Sequence, residues 1–150
     1  HPTFLDGLGL PPAPEDAALP GRSLFDLARA GDDDTRIGFS EYHAVGAPSA
    51  GFMLTRGRYK YHHYVGYPPE LFDLEADPEE TRDVAADPAH TEVLAAFEAT
   101  LRAMLDPEAV DRRAKDDQIA LVERHGGREA ALRKGYPGET PTNQKFSAPA

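Results

Sequence analysis

Gly57-Arg58-Tyr59-Lys60-Tyr61-His62-His63-Tyr64-Val65-Gly66-Tyr67-Pro68-Pro69-Glu70-Leu71-Phe72-Asp73-Leu74 is the stretch on which the fold turns. It reads as an aromatic strand, a Gly-Tyr-Pro-Pro turn and a second short strand. Tyr and Val suit a pleated, half-buried surface, whereas Gly66, Pro68 and Pro69 break the ladder and bend the chain. Side chains alternate along a strand, so Tyr59, Tyr61, His63 and Val65 share one face and Arg58, Lys60, His62 and Tyr64 the other. The first set is the core candidate; the second is a cationic, ring-bearing surface.

Upstream, Arg36 to Ala44 predicts a strand with Ile37, Phe39 and Glu41 on one face, and Gly51 to Thr55 predicts another. Val45 to Ala50 is the loop between them, built on Gly46 and Pro48. Arg56-Gly57 joins the second strand to the aromatic one as a hairpin. With Glu70 to Leu74, four successive strands without intervening helices imply a small antiparallel sheet with one face needing cover. Cover comes from Pro88 to Leu105, where Val93, Leu94, Phe97, Leu101, Met104 and Leu105 recur at intervals of three and four. Burying that stripe is worth on the order of 5–10 kcal/mol gross at about 25 cal/mol per Å². Most of this is cancelled by ordering entropy. Asp106-Pro107 then caps a further helix from Glu108 to His125, with Val110, Ala114, Leu121 and Val122 as a thin stripe. Gly126-Gly127 ends it, and Arg128 to Lys134 is one more short helix.

Before the sheet, His1 to Gly9 is a short helical tail and Leu10 to Gly21, with four prolines, is extended or turn-like. Ser23 caps a helix over Leu24 to Ala30 whose Leu24, Phe25 and Leu27 face inward. Asp32-Asp33-Asp34 reads as a solvated loop tip, because three adjacent carboxylates cannot all point at one ion. After Gly135 the composition turns to Pro, Gly, Thr, Asn and Gln, with Phe146 the lone large apolar group. Such a tail, 136–150, is irregular by itself or is ordered by a neighbouring subunit. The fold class is thus α+β: about four antiparallel strands, a covering amphipathic helix, further helix and an irregular tail. Residues 1–135 form the structured part.

The order of these phrases resembles the C-terminal subdomain of type I sulfatases. Arg58-Tyr59-Lys60-Tyr61, then Pro69-Glu70-Leu71-Phe72-Asp73-Leu74, then Asp77-Pro78-Glu79-Glu80 follow that subdomain's signature. Pro2-Thr3-Phe4-Leu5-Asp6-Gly7-Leu8-Gly9 and Leu19-Pro20-Gly21-Arg22-Ser23-Leu24 resemble the segments that precede it. The resemblance implies an alkaline phosphatase-like parent in which a hydrated formylglycine attacks sulfur and a divalent cation, usually calcium, orients the sulfate. Neither the C/S-x-P-x-R motif nor the acidic metal ligands are present: cysteine is absent, and no serine is followed by both that Pro and that Arg. The chain therefore reads as the last third of an enzyme, inactive alone, whose partners are the missing N-terminal catalytic domain and a small sulfated substrate. A homo-oligomer through the tail is also implied. Two alternatives stay open: a phosphonate or phosphate monoester hydrolase of the same superfamily, and a non-catalytic packing or oligomerisation module.

Composition narrows the partners. A formal charge of −10 opposes nucleic acid and anionic membranes, which demand a basic face. No apolar run approaches the roughly 18–20 residues that span a bilayer. The first residue is His1, as in a cut chain, so the compartment stays undecided.

Candidate site residues follow from the same reading. His62 and His63 point to opposite faces and cannot share a metal, and no ligand spacing for zinc appears. No residue here is expected to be catalytic or to bind metal. If the strand ends face the catalytic domain, His43 and one of the His62/His63 pair converge on substrate; otherwise they are structural or surface histidines. Lys60 and Arg58 could neutralise a sulfate ester, or lay their aliphatic stems over the sheet. Tyr59, Tyr61 and Tyr64 could stack on a leaving group or pack in the core. Glu41 is expected to hydrogen-bond substrate or to pair with Arg58. His43, His62 and Lys60 are the substrate-binding candidates.

Overall fold

The computed structural model describes residues 1–43 and 47–134 and divides the chain into two compact units, His1–Arg36 and Ile37–Ala150. The expectations for Val45, Gly46 and the 136–150 tail lie outside the described residues.

In the first unit, α1 (Pro2–Gly7) and α2 (Leu24–Ala30) are tied by their ends. The Ser23 hydroxyl donates to Asp6 and accepts from Phe25 N, and Thr3 Oγ1 accepts from Leu24 N. The proline-rich link contains one 3₁₀ turn, Pro14–Ala18, whose entry is held by Asp16 accepting from Ala13 N. Leu24 and Phe25 were expected inward but are 64% and 46% exposed. Two short helices offer too little surface to enclose them. Asp33 serves its own loop, accepting from the Thr35 amide and hydroxyl.

The second unit is built on an antiparallel sheet in the order β1 (Gly38–Tyr42), β2 (Gly51–Arg56), β3 (Tyr59–Tyr64), β4 (Glu70–Asp73). Gly57, at φ 55°, opens the two-residue β2–β3 turn in the left-handed region that suits the strands' twist. The register places Leu54 opposite Tyr61 and Tyr61 opposite Leu71, so one row crosses three strands. All three side chains are fully buried. After the 3₁₀ turn Pro88–His90, α3 (Thr91–Met104) lies on this face. The Phe97 ring stacks on Tyr61 at 5.7 Å, and Leu101 is buried beside it. Val93, Leu94 and Leu105 pack against that core as expected. Met104, expected in the same stripe, is 48% exposed, because the helix ends there and Leu105 is already extended.

Two devices close the unit. The outer edge of β4 is paired by the following loop: Val84 N donates to Leu71 O, and Leu71 N donates to Asp83. That removes an open ladder edge. Asp106 caps α4 (Pro107–Arg124), and one turn in, buried Asp111 accepts from Ala50 N at 2.7 Å. This bond fastens α4 to the start of β2. The thin stripe on α4 is only half used: Val110 packs on the core, but Leu121 is exposed. The short α5 (Gly127–Lys134) follows.

Candidate functional site

Strand alternation gives the sheet two chemically different faces. The helix-side face carries Phe52, Leu54, Tyr61 and Leu71 in the core. Its polar members are spoken for. Glu98 of α3 accepts from the Tyr61 hydroxyl and sits 3.2 Å from His63 Nδ1. Arg102 joins Glu98 to Glu108 of α4, donating to both Glu108 oxygens at 2.9 Å. Burial raises the Tyr61 phenol, and the hydrogen bond to Glu98 raises it further. Burial works to raise Glu98 too, yet the bonds from Tyr61 and Arg102 leave its carboxyl lowered. This network clamps helix to sheet.

The opposite face holds a cavity of about 820 Å³ lined by Met53, Lys60, His62, Tyr64, Tyr67 and Glu70 among others. The His62 and Tyr64 rings lie parallel, 6.0 Å apart with 6° between planes, and Phe72 meets His62 edge-on. The Tyr64 hydroxyl donates to Glu70 at 3.1 Å. Burial lowers the His62 imidazole, and nearby Lys60 lowers it further, so the ring is neutral at pH 7. A neutral imidazole here can give and take one hydrogen bond each.

The three candidates do not form one cluster. His62 and Lys60 share the cavity face. Lys60 is already engaged: its ammonium donates to both Glu80 oxygens, at 2.9 and 2.7 Å. His43 is placed elsewhere, edge-on to Phe52 at 5.6 Å, with Glu41 3.3 Å from its Nε2 and Gln118 donating to its carbonyl. The His63 ring lies 6.3 Å from the same Phe52 ring, centroid to centroid. Glu41 does not pair with Arg58. Arg58 instead grips Asp73 with Nε at 2.6 Å and with Nη2, and reaches Glu75 at 2.8 Å.

The partners of the Arg58 and Lys60 cations lie outside their own phrase. Both cations of the Arg58-Tyr59-Lys60-Tyr61 phrase are neutralised by acids of the next two phrases, Asp73 and Glu80. The signal was their opposite charge, 15 and 20 residues on. Among the described residues no three His, Asp or Glu side chains converge to hold a metal ion. His62 and His63 lie on opposite faces of the sheet and cannot share an ion. Among the described residues no helix is long and apolar enough to cross a membrane.

Comparison with known proteins agrees with the sequence resemblance. No family model matches the chain. Over 91 residues it is 36% identical to arylsulfatase K of Gallus gallus, and over 93 residues 36% identical to arylsulfatase K of Mus musculus; each match covers 53% of this chain. The chain spans 16% of the length of these relatives. A structure of a candidate sulfatase from Bacteroides thetaiotaomicron VPI-5482 superposes with TM-score 0.53 and 32% identity, covering 78% of this chain and 24% of that one. A solved 2-O GAG sulfatase gives the same values. In sequence and in fold, the chain is similar to the C-terminal region of a sulfatase.

Proposed function

We propose that this chain is the C-terminal part of a sulfatase that hydrolyses sulfate esters, and that the sheet face opposite α3 forms one wall of the substrate pocket. The observation that carries the reading is the cavity at His62 and Tyr64 on a chain similar to sulfatases at both the sequence and the fold level. The reacting groups belong to polypeptide outside these residues: formylglycine would supply the nucleophile, and a divalent cation would hold the sulfate. His62 offers a neutral hydrogen-bonding ring to the leaving group, Tyr64 is oriented by Glu70 behind it, and Lys60, held by Glu80, tunes His62 rather than gripping sulfate. His43, against Phe52, supports the strand ends. Sulfate release from an aryl sulfate by the full-length protein tests this, with phosphate and phosphonate monoesters run alongside. Turnover of a phosphonate ester without sulfate release overturns it, as does activity of the 150 residues alone.

A second reading is favoured by one observation. The signature cations are consumed internally, Arg58 by Asp73 and Lys60 by Glu80, as in a module whose task is to hold its own shape. On that reading, replacing His62 in the full-length protein leaves kinetics unchanged.

A further inference from the structure

We infer that the cavity on the sheet face opposite α3 selects an ammonium-bearing group of the molecule being cleaved and rejects anions of the same size. This rests on that face being a pocket wall. Two carboxylates, Glu70 and Asp83, stand on the lining; Glu41 borders it too but, paired in register with Phe52, turns its side chain to the other face against His43. Lys60 is the one Lys or Arg among the described lining residues, and both Glu80 oxygens neutralise it. An anion entering here meets acidic charge with no cation left to receive it.

What the cavity does offer suits a cation. The parallel His62 and Tyr64 rings present π faces, and Tyr67 adds an exposed third ring at the rim. An organic cation is drawn to such faces by the ring quadrupole. Glu70, bonded to the Tyr64 hydroxyl, sets a full negative charge beside them. His62 is neutral and so does not oppose a positive group. Asp83 is fixed by the backbone amides of Leu71 and Ala85, which keeps its charge in place rather than free to swing toward Lys60. The sulfate itself is thereby assigned to polypeptide beyond this wall, and the cavity reads the opposite end of the substrate by its charge.

The experiment is a titration of the full chain with phenyltrimethylammonium chloride and, separately, sodium benzoate, followed by NMR at the His62 and Tyr64 rings. The ammonium ion is expected to shift both rings and to bind at least about tenfold more tightly than benzoate. Glu70→Gln should shrink that preference, while Glu108→Gln, on the helix side, should leave it intact. The wild-type contrast stands by itself if a variant fails to fold, and competitive inhibition of the full-length protein by the same two ions reads it again. Benzoate binding as tightly as the ammonium ion overturns the charge selection and leaves the pocket wall standing. No response of either ring to either ion overturns both.

Discussion

Glu80 holds the Lys60 ammonium with both carboxylate oxygens, at 2.7 and 2.9 Å, from a backbone position at φ 55°. A non-glycine residue in the left-handed region is costly, so this one is kept for what its side chain does. Glu80→Ala is expected to lose about 1.5 kcal/mol, the low end for hydrogen bonds to a charged partner because the pair is partly exposed. Glu80→Gly loses the same pair but sheds the backbone penalty, and should be no less stable than the alanine variant despite glycine's greater freedom when unfolded. Urea unfolding of the two variants ranks them.

Asp111 accepts from the buried Ala50 amide across 61 residues of chain. Asp111→Ala should therefore cost about 1–3 kcal/mol, because it strands a buried N–H. Asp111→Asn keeps an acceptor oxygen and should recover most of the loss. Equal destabilisation by the two would assign the effect to Lys115, the other partner of this carboxylate, rather than to Ala50.

Phe97, stacked on Tyr61, is fully enclosed between α3 and the sheet. Phe97→Ala should cost about 3–5 kcal/mol, the range for a buried aromatic ring. Met104→Ala, at the exposed end of the same apolar periodicity, should cost well under half as much. Thermal denaturation separates the two.

Arg58 lowers the Asp73 carboxyl by hydrogen bonding, and Arg102 holds Glu108 down to about 2 in the same way. A carboxyl depressed on folding contributes stability that is complete above its unfolded value, about 4 for these groups, and is lost as pH falls through the folded one. The urea midpoint should accordingly drop from about pH 5 down toward 2. Asp73→Asn should lower the midpoint at neutral pH and flatten part of that slope. An unchanged slope would show that Asp73 is as free in the folded chain as in the unfolded one.

The sheet was legible because its cues are local. Alternation at Tyr59, Tyr61 and His63 marks the core face, Gly57 marks the hairpin, and Asp106-Pro107 marks the start of α4. Exposure at helix ends was harder to read. Met104, Leu121, Leu24 and Phe25 all continue an apolar period past the point where anything is left to pack on, and periodicity carries no information about where a partner surface stops. The site was the least legible part. Which acid meets Lys60 or Arg58 depends on how the loop after β4 folds back, and the separation of His43 from His62 depends on which side of the sheet the end of β1 turns toward.

On the proposed function, the sheet face at His62 and Tyr64 touches the substrate of a sulfatase. The most direct measurement is kcat/KM for an aryl sulfate in the full-length protein carrying His62→Ala or Tyr64→Phe, with thermal stability followed in parallel. His62→Ala should lower it by about tenfold or more, equivalent to about 1.4 kcal/mol of transition-state stabilisation. Tyr64→Phe should show a smaller fall, and the melting temperature should be nearly unchanged in both. Wild-type kcat/KM in both variants would contradict it and leave the sheet a scaffold.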